Sequence, residues 1–475
     1  MKKSINYIYR TIAIAALVII AISPGKARAA KIDPVRLDSR INELIEKNNI
    51  PDADVAVIRN DSVIYRFSKN AVNAGRNYLI GSCSKSFTAL SVMILAEKGK
   101  IDIDKPVQKY IPWFEIKDTQ KTERITVRHL LNQTSGIGNH YGFFDYPTGD
   151  FSLYRAKLVE HLRQIELLNE PGEAFCYSNL NYLLLGLIVE AVTKEKYTEF
   201  LSEDVFAKIG MKMSFGGFND DLLTNTLQAY QYLIFNKPHK TKIYPHSDYV
   251  AAYGYLSSNV ADLCNYLNFI INRGVTREGD TLIAADSYNT LLTPVKGNYA
   301  MGWISLLYNN KKMLIHSGLD ENYSAILEVC PEDRLGIIVL SNINNLQFCS
   351  MVQASVMDML ENKPFHNQFS LELIFRWVPG SLAVLALALF LYNLYRWKKY
   401  SLKVGFIFKP LSFLRLIFGI GLSVAGILLV QKYYTISIFS VFNYQPDIVM
   451  SFISIFVFGI LSSFTRYFGT YSKTF

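Results

Sequence analysis

A serine and a lysine stand three residues apart in the run GSCSKSFTAL, Gly81 to Leu90. If the run is helical, Ser82 and Lys85 lie on one face about one turn apart, within reach of each other. A hydroxyl beside an amine is the smallest apparatus for a serine nucleophile, because the amine can take the proton that the hydroxyl must lose. Taken alone, the pair favours a helix-capping serine and a solvated lysine. Two further groups decide the matter: a partner that returns the proton, and an edge on which a substrate docks. The run PGEAFCYSNLNYLLLGLIVEAVT offers Tyr177, Ser178 and Asn179 just before an apolar helix. The run MLIHSGLDENYSAIL offers His316, Ser317 and Gly318 at a strand.

Taken in order, S-x-x-K at Ser82–Lys85, Y-x-N at Tyr177–Asn179 and a K-T-G-type triplet in the form H-S-G at His316–Gly318 resemble the penicillin-binding-protein and class C β-lactamase superfamily of active-site serine hydrolases. The segments GKIDIDKPVQKYIPWF, ITVRHLLNQTSGI and YGYLSSNVADLCNYL are similar to that superfamily as well. The resemblance implies that Ser82 attacks a carbonyl and becomes acylated. It implies that Lys85 acts as the neighbouring base in its neutral form, its pKa lowered by burial and nearby positive charge. Tyr177 would carry the proton to the leaving group and help activate water for deacylation. Asn179 is implied as a hydrogen-bonding residue to Lys85 or to a substrate amide. The backbone N–H groups of Ser82 and Leu319 are implied as the oxyanion hole. No metal or other cofactor is called for. His246, in YPHSDYV, falls where a polar residue of the substrate pocket would fit.

His316 is the departure. β-Lactam and cell-wall enzymes of the superfamily carry a lysine there, a permanent cation for the substrate carboxylate, whereas an unperturbed imidazole is mostly neutral at pH 7. A carboxylate-bearing β-lactam should therefore dock more weakly. The H-x-G form is similar to esterases, D-aminopeptidases and amidases of the superfamily.

The elements that must position these groups follow from periodicity. DSRINELIEKN reads as an amphipathic helix opened by Asp38 or Ser39, and ADVAVIRNDSVIYRFS as a hairpin around Asn60-Asp61. A helix follows Ser82 and ends at Gly99; the stretch 125–270 reads as mostly helical. KMLIHSG, SAILEVC and RLGIIVLSN are three strands, followed by a helix from Leu346 to Leu360. Helix, two strands, a long helical insertion, more strands and a closing helix make an α/β (α+β) fold. Its antiparallel sheet, completed by both chain ends, is flanked by helices and joined to an all-helical subdomain.

The 475 residues allow more than this one domain. Residues 1–29 hold five Lys/Arg and no acid, with an apolar core from Thr11 to Ile22 and an A-x-A site at Ala27–Ala29, the pattern of a secretory signal peptide. The hydrolase domain is expected over 30–365. Residues 366–475 hold three apolar segments at about 377–397, 411–431 and 447–466, each long enough to span a bilayer core. The loop after the first carries Arg396, Lys398, Lys399, Lys403, Lys409 and Arg415, and the loop after the second only Lys432. By the positive-inside rule the first loop and the C-terminus are cytoplasmic, which puts the hydrolase domain on the outer side of the cytoplasmic membrane. The signal peptide requires the same side. Pairs of small residues, Gly419 with Ser423 and Gly421 with Ala425, suit close helix packing within the trio or against a second copy.

The formal charge of +9 belongs to these ends: residues 30–370 hold 34 basic against 38 acidic residues, which argues against nucleic acid as a partner. Cys83, Cys176, Cys264, Cys330 and Cys349 fit no zinc spacing and read as packing residues. A hydrolase domain outside followed by three spans also resembles membrane-anchored peptidases that mature non-ribosomal peptide prodrugs, the colibactin-maturing type. That resemblance implies an amide in a small peptide with acylated or D-configured parts as substrate. An ester substrate is the nearest alternative, and a penicillin-recognising sensor without turnover is an alternative of another class.

Overall fold

The computed structural model describes residues 31–366, apart from 147, 219 and 234–235, together with 371–399 and short isolated stretches beyond. The expected signal peptide, the second expected span and most of the third lie outside the described residues. Helix α1, Pro34–Asn48, starts earlier than expected because Asp33 caps it, accepting from Arg36 N, with Pro34 in the first turn. Its buried stripe Leu37, Ile41, Leu44 and Ile45 keeps helical spacing.

Strands β1 (Ala53–Arg59) and β2 (Ser62–Ser68) form the expected hairpin. Next come β3 (Tyr78–Leu79), the 3-10 turn Gly81–Cys83, helix α2 (Ser84–Glu97) and helix α3 (Asn179–Thr193). The region expected to be all helical also holds a hairpin of β4 (Ala229–Leu233) and β5 (Lys237–Thr241), and β6 (Ser257–Ser258) pairs with β3. After α4 (Val260–Ile271) the chain returns through β7 (Tyr299–Ala300), β8 (Trp303–Tyr308), β9 (Lys311–Leu319), β10 (Ser324–Cys330) and β11 (Leu335–Ser341) to α5 (Leu346–Leu360). The sheet runs β2-β1-β11-β10-β9-β8-β7, antiparallel throughout, so the first and last strands of the domain pair inside it.

The central strands are buried on both faces, which explains their continuous apolar runs. In β1, Val55 and Val57 join the core under α1 and α5, while Ala56 and Ile58 join the larger core under the helical region. Every residue of α2 from Ser84 to Leu95 is buried, so this helix is fixed by packing on all sides. The active-site candidates sit at its N-terminus, against the edge of β9. All five cysteines are buried, and none is joined in a disulfide. The first expected span falls on helix α6, Leu371–Lys399. No helix among the described residues is long and apolar enough to cross a membrane, so the three spans stand on the sequence.

Candidate active site

Ser82 lies in the turn before α2, and Gly81 brings it against β9. Gly81 has φ +52°, and a Cβ there would stand 2.3 Å from Leu319 N. A Cβ on Gly318 would stand 1.8 Å from the Ile80 carbonyl oxygen. Only glycines at both places let the two backbones meet this closely. Cys83 Sγ, donating to the His316 carbonyl at 3.3 Å, adds a second tie between the turn and the strand.

The ladder then leaves a free edge. Asp320 N donates to Tyr323 O on the β10 side, so by strand alternation Leu319 N turns the other way, toward the Gly81–Ser82 turn. β8 pairs with β9 only from Lys311 to Ile315, so among the described strands none covers the edge from His316 to Leu319. Two backbone donors, Ser82 N and Leu319 N, thus come together beside the Ser82 hydroxyl, at the rim of an uncovered strand edge. That is the arrangement an oxyanion hole and a docking strand require.

Ser82 Oγ is 3.0 Å from Lys85 Nζ and accepts from Tyr177 Oη at 3.0 Å. Lys85 Nζ also donates to the Tyr253 carbonyl at 2.6 Å. The amine is wholly buried, and burial holds its pKa well below the ordinary lysine value. The faces of Tyr177, Tyr182 and Tyr253 lie 5.0, 5.8 and 5.7 Å from Nζ and favour the ammonium, by up to about 2 kcal/mol for a desolvated contact. Desolvating an ion costs several kcal/mol, so burial wins. The expected contribution of nearby positive charge is absent: burial alone lowers this pKa, and the Cys83 thiol opposes it.

The Tyr177 ring is partly open to the cleft, yet burial of its hydroxyl holds its pKa well above the ordinary value, with Tyr299 adding to the effect. Burial therefore favours an uncharged amine and a protonated phenol on the two sides of Ser82. They hold the same number of protons as an ammonium beside a phenolate, arranged without charge.

Tyr177 is placed by Gln133, whose Oε1 accepts from Ser178 N at 2.9 Å and from Asn181 Nδ2 at 2.6 Å. Asn179 starts α3 with a buried Oδ1 that has no protein partner and makes no bond to Lys85; of its two expected partners, a substrate amide is the one left open. His316 is buried, its Nδ1 donating to its neighbour's Ser317 carbonyl at 2.8 Å. Burial first, then the Lys85 amine, pushes its pKa down to about 3, so the ring is neutral and Nε2 is a buried acceptor. It supplies no cation for a carboxylate. His246 pairs with Asp145 at 2.9 Å and packs against Tyr255, away from the contacts of Ser82, Lys85 and Tyr177. Gln133, Tyr299, Asp145, Glu321 and the Tyr253 carbonyl were not singled out from sequence. Gln133 and Tyr253 lie inside segments that resemble the superfamily, and Tyr253 acts through its backbone, which no side-chain pattern reveals. Among the described residues no cluster of His, Cys, Asp and Glu could hold a metal.

A serine flanked by a buried amine and a phenol, on a sheet completed by both ends of the domain, defines a serine hydrolase of the β-lactamase and penicillin-binding-protein type. The chain belongs to the Beta-lactamase family, whose profile matches residues 37–352. It is similar to Protein flp of Staphylococcus aureus strain MW2, 26% identical over 76% of this chain and 74% of that protein. It is also similar to Penicillin-binding protein 4* of Bacillus subtilis strain 168, 25% identical over 58% of this chain and 62% of the other. Among solved structures, the octameric penicillin-binding protein homologue from Pyrococcus abyssi matches with a TM-score of 0.58 and 25% identity, over 70% of this chain and 78% of that one. A class C β-lactamase in complex with cefoxitin shares the fold with a TM-score of 0.56 at 18% identity, over 68% of this chain and 98% of that one.

Proposed function

We propose that this protein is an extracytoplasmic, membrane-anchored serine hydrolase. It cleaves an amide in a small peptide with acylated or D-configured parts through an acyl-enzyme on Ser82. The observation that carries this reading is the placement of Ser82 Oγ 3.0 Å from both Lys85 Nζ and Tyr177 Oη. The neutral Lys85 amine takes the Ser82 proton as Oγ attacks the carbonyl. Negative charge develops on the carbonyl oxygen, toward the N–H groups of Ser82 and Leu319. The proton passes through Tyr177 to the leaving nitrogen, and the same pair then activates the water that releases the acid.

Neutral His316 supports a substrate without a carboxylate at that point, which disfavours a β-lactamase and a penicillin-recognising sensor. Anchoring is supported by the three apolar segments of the sequence and would keep the site close to an acylated, amphiphilic peptide such as an exported prodrug. The test incubates the full chain in membranes with N-acyl-D-amino-acid amides, p-nitrophenyl esters and a chromogenic cephalosporin, with Ser82→Ala and Lys85→Ala as controls. Repeated amide cleavage lost in both variants supports the reading. Turnover of esters alone assigns an esterase, and stoichiometric labelling without product release assigns a sensor.

A further inference from the structure

When Lys85 takes the Ser82 proton, the bond from Oγ to the carbonyl carbon forms and the carbonyl π pair moves onto oxygen. A buried ammonium then stands at Nζ until its proton passes on through Tyr177. Buried charges ordinarily have a charged partner. Lys85 has none. Among the described residues no carboxylate pairs with Nζ, whose bonds go to Ser82 Oγ at 3.0 Å and the Tyr253 carbonyl at 2.6 Å. The ionisable groups around it are Cys83 in the turn before α2, Tyr177 and Tyr182 at the start of α3, Tyr253 in the loop before β6, and His316 on β9. Burial holds the thiol and the three phenols protonated and the imidazole neutral. Asp145 and Glu321 act on the Tyr253 phenol, and no carboxylate acts on the amine.

What surrounds Nζ instead is aromatic. The ring faces of Tyr177, Tyr182 and Tyr253 stand 5.0, 5.8 and 5.7 Å from it. A ring face is the negative end of the aromatic quadrupole, and it attracts a cation most strongly where water is excluded. The two outer rings are held in place by their hydroxyls. Tyr182, fully buried, donates to the Leu131 carbonyl at 2.8 Å, and Tyr253, also buried, donates to the Phe144 carbonyl at 3.4 Å. Neither hydroxyl bonds to Ser82 or Lys85, so these rings face the amine without carrying a proton.

We propose that Tyr182 and Tyr253 are positioning residues of the reaction: with Tyr177 they form an aromatic cage that holds the transient Lys85 ammonium in place of a counter-ion. The part of that ammonium in turnover rests on the hydrolase reading above; its attraction to the cage does not. The test compares Tyr253→Phe with the same chain carrying 3,4,5-trifluorophenylalanine at position 253, and repeats the pair at position 182, on the full chain in detergent. Fluorine withdraws charge from the ring face at nearly constant volume, so packing is kept and the attraction for a cation is lost. Acylation by an activated ester is followed against pH. Relative to phenylalanine, the fluorinated ring should slow the plateau about two- to five-fold, because the base is weaker, and move the acid limb down by about 0.5–1 pH unit. A slower plateau with an unmoved limb is a packing defect, and a limb that moves up is water entering the site; either result at both positions overturns the proposal. A second readout needs no turnover: denaturant unfolding against pH, taken as the difference from the matching Lys85→Met chain. A lysine whose folded pKa lies below its unfolded one leaves the chain least stable below the folded pKa. Stability then rises toward the unfolded pKa, because the unfolded chain binds the extra proton there. Fluorination should start that rise about 0.5–1 pH unit lower. A rise that starts at the same pH at both positions overturns the proposal. A rise that moves in a chain that is never acylated leaves the cage standing and ends the hydrolase reading.

Discussion

Gly318→Ala perturbs the docking edge without removing any group that takes part in chemistry. Its Cβ would lie 1.8 Å from the Ile80 carbonyl oxygen and 2.7 Å from the Ile80 carbonyl carbon, both backbone atoms that no rotamer can move aside. Moving that contact from 1.8 Å to the 3.4 Å at which ordinary contact begins requires β9 and the turn before Ser82 to separate by about 1.6 Å. Leu319 N is the next residue's donor, so it moves with the strand. A misplacement of about 1 Å can cost about 100-fold in rate, and loss of one oxyanion donor costs about 100- to 1,000-fold. The overpacking itself should cost about 1–3 kcal/mol of stability. Stopped-flow measurement of the acylation burst with an activated ester reads the first effect, and thermal melting reads the second. Gly149→Ala is the control, since nothing lies within 4 Å of a Cβ there. Acylation of Gly318→Ala within about two-fold of wild type would refute the assignment of this edge as the oxyanion site.

Lys85 must be uncharged to act as base, and burial lowers its pKa, so acylation is lost on acidification in a pH range well below that of an ordinary lysine. Lys85→Arg, which stays charged, should lose about 100-fold or more of the acylation rate across that range. Glu328 is buried beside Gln353, and burial raises its pKa from 4.5 to about 7. A raised folded-state pKa means that its full stability is present below about pH 4.5 and is lost as pH rises through 7, by up to about 3 kcal/mol. Denaturant unfolding at pH 5 and pH 8.5 should therefore show Glu328→Gln gaining relative to wild type at the higher pH only. Gln133→Ala removes the acceptor shared by Ser178 N and Asn181 Nδ2. It should cost about 1–3 kcal/mol on melting, with a fall in kcat from a displaced Tyr177.

Much of the frame was legible because it rests on periodicity. The three closing strands and the helix Leu346–Leu360 follow from apolar runs and turn residues. The pairing of Ser82, Lys85 and Tyr177 was legible because side-chain types in a fixed order carry it. The start of α1 was misplaced because Asp38 and Ser39 offer a cap inside a helix that Asp33 and Pro34 already open. The β4–β5 hairpin was missed because Gln231, Lys237 and Lys240 interrupt any alternation strong enough to read. Tyr253 and Leu319 contribute backbone atoms, and a backbone atom has no signature in residue type. His246 brings Asp145, Tyr255 and Glu321 together from three distant segments, a juxtaposition that only the tertiary fold supplies.

The central claim is that the Ser82 oxygen is the acylated atom. A fluorophosphonate probe applied to the full chain, followed by peptide mass spectrometry, tests it directly. The account predicts one adduct per chain, on Ser82, lost in Ser82→Ala and slowed in Lys85→Ala. An adduct on another residue, or labelling that persists in Ser82→Ala, would contradict it.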